Sequence, residues 1–159
     1  MRPRWAVLAA TSAIVLAGFA HAQVAPPPPQ AFVLLRQASL DMSALTKGGM
    51  EAAMKADKEA RTQAYAAASL AKWAHALPSM FPSGSGPGET PYKTQARAAI
   101  WQSRPAFEAA AANYGAAADR LAELAGANDT EGFKAQLVTL SHACDACHAA
   151  FKDGDRGPR

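Results

Sequence analysis

The two cysteines of this chain lie close together near its C-terminal end, with a histidine directly after the second. Cys144 and Cys147 are three residues apart, and His148 completes the pattern C-x-x-C-H. Three kinds of chemistry use such residues at close spacing: metal binding, thiol redox exchange, and covalent attachment of a haem. The first question is which of the three this chain performs.

Haem attachment agrees best with the spacing. An offset of three residues on a helix places both thiols on one side, where each can add to one vinyl group of the porphyrin. His148 lies four residues after Cys144 and shares that face, so its imidazole can reach the iron. We therefore predict one haem c, attached covalently through Cys144 and Cys147, with His148 as the protein ligand to the iron.

The other two kinds of chemistry agree less well with the chain. A structural zinc site needs four ligands, and only His75 and His142 could be added once a leader is removed. His142 lies about 240° around a helix from His148, so the two side chains face apart. A thioredoxin-like cysteine pair needs a βαβ unit, and no strand alternation is present. Two cysteines three residues apart on one helix also resist a relaxed disulfide.

The N-terminal segment, residues 1–22, has the form of a secretory signal peptide. Arg2 and Arg4 precede an apolar run that ends in a small-x-small motif at Ala22. The run is short for a membrane span, so we predict cleavage, a periplasmic protein and no membrane anchor. Once Arg2 and Arg4 leave, 14 of the 16 basic residues stand against 13 acidic ones. Without a basic cluster, we expect no nucleic acid to bind.

Helical segments follow a proline-rich leader at residues 23–29. Hydrophobic residues make up 50% of the chain, and the abundance of alanine with few β-branched residues favours helix. Apolar residues recur at helical spacing over about residues 30–56, 58–77, 93–124 and 131–152. We predict an all-α fold, an antiparallel four-helix bundle over residues 30–153 whose C-terminal helix attaches the haem, with a tail at 154–159.

Turn-forming residues mark the ends of these segments. Asp57 is placed to cap the second segment, and Asp129 with Thr130 to cap the fourth. Pro105 should kink the third segment or shift its start. The loop at residues 78–92 holds four prolines and three glycines, too many for regular structure.

The chain resembles the cytochrome c′ family, with its low-spin relative cytochrome c-556, over about residues 30–152. The C-x-x-C-H motif stands near the C-terminus, and LLRQASL, LPSMFPSGSG and AAIWQ are similar to the family's first-helix signature, second-helix exit and third-helix start. The resemblance implies a homodimer formed through the first two helices. It also implies that Arg36 and Gln37 meet the haem propionates and that Gln95 is a polar contact of the haem.

The residue on the far side of the iron decides the function in this family. The resemblance places there the residue four positions after the signature arginine, which is methionine in low-spin members and often apolar in cytochromes c′. Here it is Leu40, which has no donor atom. Met42 lies about 200° around the helix from Leu40, and Met50 and Met54 lie about 15 and 21 Å further along. We expect all three to pack rather than to bind iron.

These observations predict a five-coordinate, high-spin haem protein that binds diatomic gas. An apolar distal side gives no hydrogen bond to O₂, so we expect NO to be favoured and CO to be admitted. The alternative is a low-spin electron-transfer cytochrome with a methionine sixth ligand and a redox partner protein. A haem-free thiol or metal protein is a third class. No carboxylate pair or poised acid and base suggests an enzyme.

Several residues keep two interpretations. Arg36 and Gln37 either meet the haem or lie on a solvated helix face, and Lys152, four after His148, either influences the proximal pocket or is a solvated lysine. We expect Trp101 to belong to the core. We expect His75 and His142 to lie on the surface.

Overall fold

A computed structural model describes residues 27–154 of the chain. The predicted signal peptide, most of the leader and the tail after Gly154 lie outside the described residues. The helices, in chain order, are α1 (Pro29–Lys55), α2 (Ala64–Ala76), the short α3 (Ala99–Gln102), α4 (Arg104–Gly126) and α5 (Thr130–Phe151). Single 3₁₀ turns flank α2, at Ala60–Gln63 before it and at Leu77–Met80 after it. The predicted all-α fold is confirmed.

The four long helices form the bundle. Short links at residues 56–59 and 127–129 make α1 antiparallel to α2 and α4 antiparallel to α5. Helix α4 packs on both α2 and α5, and α1 rests against α2 and α5. Large side chains from different helices fill the centre and are almost fully buried: Met50, Ile100, Phe107, Leu121, Phe133 and Leu140.

Asp57 ends α1 and does not cap the second helix, so this prediction was wrong. Its backbone is left-handed, with φ at 51°. The amide of Lys58 donates to the carbonyl of Ala53 at 3.1 Å, and the amide of Asp57 donates to Met54 at 3.2 Å. These two bonds are the Schellman pattern of a helix C-terminus. Aspartate serves both helix starts and left-handed ends, and the tertiary course of the chain selects the second.

The third predicted helix is two helices with an irregular beginning. Ser103 interrupts the run at φ −124° and ψ 52°. Pro105 has no N–H to donate to the carbonyl of Trp101, so a continuous helix would lose a bond there. The carbonyl of Ser103 instead accepts from Ala106 and Phe107 at 3.0 and 3.1 Å. The expected shift of the helix start at Pro105 is confirmed, whereas residues 93–98, placed in that helix, are not helical.

Helix α5 begins where its cap residues predict. The carboxylate of Asp129 accepts from the amide of Gly132 at 2.9 Å. The hydroxyl of Thr130 accepts from the amide of Ala60 at 3.1 Å, so it joins this end of α5 to the 3₁₀ turn before α2. Within residues 27–154, the structure contains no helix that is long and apolar enough to cross a membrane.

Candidate haem-attachment site

The apolar stripe of α5 carries the two cysteines into the interior. Phe133, Leu137 and Leu140 are buried on one face of the helix. Cys144 and Cys147 continue their spacing of three and four residues. Both cysteines are half-buried and pack against the core, and no disulfide joins them. The two thiols therefore share the inner face of α5.

The surroundings of the Cys147 thiol raise its pKa and so disfavour its ionised form. Burial raises the pKa of the Cys147 thiol, and the negative charge of Cys144 would raise it further. The thiolate is the form that binds metals and exchanges disulfides. The burial of Cys147 thus disfavours thiol redox exchange. His148, in the last turn of the same helix, is half-buried beside them.

The inner face of α1 presents Leu40 to the core. Leu40 is half-buried and packs against the hydrophobic cluster, and its carbonyl accepts from the Ser43 hydroxyl at 2.8 Å. Met42 is 61% exposed on the opposite face, as the helical angle predicts. Met50 and Met54 are buried members of the core. Helix α1 runs through Gly48 without a break, so its register from Leu40 to Met54 is continuous.

Tyr114 on α4 is a polar neighbour that the sequence did not single out. Its side chain is buried. Burial raises the pKa of the phenol well above its ordinary value; the Cys144 charge acts in the same direction, and a hydrogen bond with Ser43 acts against it. The phenol therefore lies between α1 and the first cysteine of α5. Helical spacing identifies Tyr114 as a core position, but only the packing of three helices brings it to Cys144.

Arg36 is buried, with 2% of its surface exposed. Its guanidinium donates to the Ser85 hydroxyl at 2.9 Å, to the Ser85 carbonyl at 2.7 Å and to the Thr94 hydroxyl at 3.0 Å. It also lies 4.7 Å from the ring centre of Phe81, and burial lowers its pKa. The solvated-face interpretation is wrong for Arg36. Its contact with the haem propionates stays a prediction.

The two glutamines lie apart from each other. Gln37 is exposed on α1, and its side-chain amide donates to the Lys93 carbonyl at 2.9 Å. Gln95 is also exposed, and its backbone carbonyl accepts from the amide of Asp153 at 2.7 Å. Gln95 thus lies beside the C-terminal end of α5, whereas the Gln37 side chain on α1 contacts the segment before α3 at Lys93. The haem contacts of both stay predictions.

The segment before α3 pairs with the segment after α5. Ala96 and Lys152 form an isolated antiparallel bridge. The amide of Arg97 donates to the Phe151 carbonyl at 3.0 Å, and its side chain binds Asp153 at 2.7 Å. Lys152 is therefore half-buried within a pairing and not on a freely solvated end. No local pattern marks Arg97, because its side-chain partners are more than fifty residues away.

The remaining candidates occupy the expected places. The indole N–H of Trp101 donates to the Pro82 carbonyl at 3.0 Å, and the ring packs near Phe81, which confirms Trp101 as a core residue. His75 and His142 are exposed, also as predicted. The Nε2 atom of His75 lies 2.9 Å from a carboxylate oxygen of Asp119, which ties α2 to α4 at the surface.

The donor set on α5 fits a covalently bound haem. Such a group needs two thiols on one helix face and an imidazole on the same side. Cys144, Cys147 and His148 supply these on α5, where all three are half-buried, and Leu40 packs against the same core as the two thiols. Apolar side chains surround both thiols, as a porphyrin ring requires. The arrangement therefore suits haem c better than zinc or thiol exchange.

Comparisons with known proteins agree with this site. The family model described as Cytochrome C′ matches residues 31–152. A cytochrome c′ of Rhodospirillum rubrum is 32% identical over 150 residues, which cover 94% of this chain and 97% of the relative. A cytochrome c-556 of Agrobacterium tumefaciens is 35% identical over 108 residues, 66% of this chain and 83% of the relative.

Solved structures share the fold. Cytochrome c′ from Rubrivivax gelatinosus superposes with a TM-score of 0.70 at 25% identity, over 79% of this chain and 97% of that one. A ferrous variant of cytochrome c prime from Alcaligenes xylosoxidans with bound NO has a TM-score of 0.72 at 23% identity, over 82% and 99%. Another cytochrome c′, at 0.71 and 21% over 82% and 100%, is described as showing ligand-controlled dimer dissociation.

Proposed function

The chain belongs to the cytochrome c′ family, and from that premise we propose that it is a periplasmic haem protein that binds diatomic gas, chiefly NO and also CO. The family carries covalently bound haem c, and Cys144 and Cys147 are the two cysteines available to attach it. In the proposal, His148 is the single protein ligand to the iron. A haem iron with one open position supplies the gas-binding chemistry.

The position of Leu40 carries this proposal. Leu40 is half-buried on the inner face of α1 and packs against the same cluster as the two cysteines. A leucine side chain has neither a donor atom for iron nor a hydrogen-bond donor for a gas. Without a ligand from α1 at this place, the sixth position of the iron stays open.

The methionines of α1 support an open position. Met42 projects outward, so its side chain could reach the interior only if the whole helix rotated about its axis. Met50 and Met54 lie ten and fourteen residues after Leu40, about 15 and 21 Å along the axis, and both fill the core. If either side chain left the core to bind the iron, it would leave a cavity that costs about 2–5 kcal/mol. The positions of all three methionines therefore support the proposed open sixth position.

The preference for NO over O₂ also follows from the residues of α1. Bound O₂ is polar and gains from a nearby hydrogen-bond donor, which NO and CO need less. The hydroxyl of Ser43, three residues after Leu40, donates its hydrogen to the Leu40 carbonyl. Leu40 also crowds the site, so we expect this side chain to act mainly by limiting the access of a gas to the iron.

The first experiment is an optical and EPR spectrum of the purified haem protein, oxidised and reduced, with and without NO and CO. We expect a high-spin iron whose ferrous form binds both gases. The variant L40M should become low-spin with a methionine-to-iron charge-transfer band and lose CO binding. The matched control is L45M, because Leu45 is 69% exposed on the outer face of the same helix, and it should leave the spectrum unchanged.

A low-spin wild-type spectrum that is inert to CO would contradict the proposal. The protein would then be an electron carrier of the c-556 type. A relative at 35% identity carries the name cytochrome c-556. Three single variants, M42L, M50L and M54L, would identify the sixth ligand, because loss of the true ligand restores high-spin iron.

We also propose a homodimer formed through the outer face of α1. Leu34, Leu35, Met42 and Leu45 are large apolar side chains that are exposed along this helix, and such a continuous patch marks an interaction surface. Light scattering of the haem protein should give twice the chain mass. L45E should give a monomer, whereas V138E, at an exposed apolar position of α5, should stay dimeric. A monomeric wild type would contradict the proposal.

The periplasmic location is a proposal from the N-terminal sequence. Cell fractionation should place the red protein in the periplasm, and mass spectrometry should find a mature chain that begins at Gln23. A chain that retains residues 1–22 in the membrane fraction would contradict it.

A further inference from the structure

The C-terminal end of α5 leaves carbonyl groups that the helix itself cannot satisfy. In any α-helix the last four carbonyls have no intrahelical partner unless the chain continues. In α5 these belong to residues 148–151. The amide of Lys152 donates to the first, that of His148, at 3.1 Å. Lys152 itself is extended, at φ −124° and ψ 132°, so the helix stops and three carbonyls need other donors.

Arg97 satisfies all three. Its guanidinium donates through one nitrogen to the carbonyls of Ala149 at 2.8 Å and of Ala150 at 3.4 Å. Its backbone amide donates to the carbonyl of Phe151 at 3.0 Å. The Nε atom of the same side chain donates to the carboxylate of Asp153 at 2.7 Å. One residue from the segment before α3 thus closes the end of α5.

The charge of Arg97 suits this place as well as its shape. A cation at a helix C-terminus is favoured by the helix dipole, and the planar guanidinium can address several acceptors at once. Its ion pair with Asp153 is partly exposed, so that pair contributes little by itself. The role of this ion pair is to orient the guanidinium toward the carbonyls of Ala149 and Ala150.

The turn that Arg97 closes is the turn that carries His148. The first carbonyl bound by the guanidinium belongs to the residue directly after His148. On the other side of the turn, the ring of Phe151 packs edge-on against Phe107 at 5.4 Å between ring centres. The backbone of this turn is therefore held from α4 through an aromatic contact and from the segment before α3 through Arg97.

We propose that Arg97, oriented by Asp153, is a positioning residue for the proximal histidine. By fixing the backbone that follows His148, it limits the freedom of the imidazole to tilt or withdraw from an iron held by Cys144 and Cys147. The proposal rests on His148 being the axial ligand, as set out above. Arg97 acts through the backbone that follows His148, by its bonds to the carbonyls of Ala149 and Phe151.

The test compares R97A with R97K and with a matched control, R104A. Arg104 makes a similar set of contacts, to Glu108 and to the carbonyls of Phe81 and Pro78, none of which belongs to α5. All proteins are studied with haem attached. Resonance Raman spectra of the ferrous forms report the iron–histidine stretching band, and hydrogen exchange reports the amides of residues 149–153.

We expect R97A to shift or broaden the iron–histidine band and to speed exchange at the end of α5 by about tenfold. R97K keeps the charge but not the fork of donors, so it should recover part of both effects. R104A should lower stability and leave both readouts at their wild-type values. If R97A does not fold, D153N takes its place, and we expect a smaller change of the same sign.

Two results would overturn the proposal. Unchanged exchange in R97A would mean that the clamp does not hold the helix end. Faster exchange with an unchanged band would mean that Arg97 closes α5 without positioning His148. A wild type that lacks the band because its iron is six-coordinate would refute the proposed open site instead. The midpoint potential then becomes the readout, and a shift in R97A that is absent from R104A still supports the clamp.

Discussion

Replacement of Arg36 by alanine should be among the most destabilising single changes in this protein. The substitution removes three hydrogen bonds of 2.7–3.0 Å to Ser85 and Thr94 and leaves the carbonyl of Ser85, which is fully buried as a residue, without that donor. An unsatisfied buried acceptor costs about 1–3 kcal/mol. Loss of the two buried methylenes beyond Cβ adds about 1.5–2 kcal/mol.

Part of this cost is returned because a buried charge is itself expensive, as the lowered pKa of Arg36 indicates. We therefore expect R36A to lower the free energy of unfolding by about 3–4 kcal/mol in all. For a domain of this size, about 4 °C per kcal/mol gives a fall in Tm of about 12–16 °C. Thermal and urea unfolding of the haem-attached protein, followed by circular dichroism, measure it.

Two companion variants separate the contacts from the charge. R36K keeps a cation at this place, but a single ammonium cannot reach both Ser85 and Thr94 with the geometry of a guanidinium, so it should lose about half as much. R120A removes an exposed arginine paired with Glu123 and should cost less than about 0.5 kcal/mol. A loss in R36A below about 1 kcal/mol would refute the account of Arg36 as the anchor of the loop at residues 81–94.

The remaining predictions concern pH, a helix cap and the attachment site. Because burial raises the pKa of Tyr114, stability should hold below about pH 10, the ordinary tyrosine pKa, and fall above it as the unfolded chain ionises. Urea titrations of Y114F at increasing pH should lack this alkaline fall. An equal fall of stability with pH in both proteins would contradict the prediction. D129A should lower the free energy of unfolding by about 1 kcal/mol and D129N by only a few tenths. Equal losses in the two variants would contradict the capping role of Asp129. Alanine at both Cys144 and Cys147 should abolish the covalent haem adduct in the protein mass, and its survival would exclude these attachment points.

Much of the fold follows from local patterns in the sequence. The 3.6-residue spacing of apolar side chains locates α1 and α5 to within a residue or two of their observed ends, and Asp129 marks the start of α5 correctly. The C-x-x-C-H motif suffices to predict haem attachment, because the chemistry depends on the spacing of three neighbouring residues on one helix. The exposure of Met42 and the burial of Met50 follow in the same way from helical angle and from the apolar pattern.

The errors arise where a residue has two local uses. Asp57 can start a helix or end one in a left-handed conformation, and it does the second. The segment at residues 93–98 has helical spacing, but its backbone pairs with the residues that follow α5. A tertiary partner offers hydrogen bonds that compete with those of a helix, and propensity is too weak to decide between them.

The sequence by itself determined most of the helices and predicted the attachment residues and the leucine four places after Arg36, since each depends on neighbours within a few turns of helix. Only the tertiary structure decided what the arginines do. Arg36 reaches a serine 49 residues away, and Arg97 reaches an aspartate 56 residues away. Helical spacing alone did not reveal either set of contacts, because a long flexible cation acquires its role from acceptors that folding brings to it. The same holds for Tyr114. Its burial follows from the local helical spacing, whereas its place beside Cys144 depends on how the helices pack.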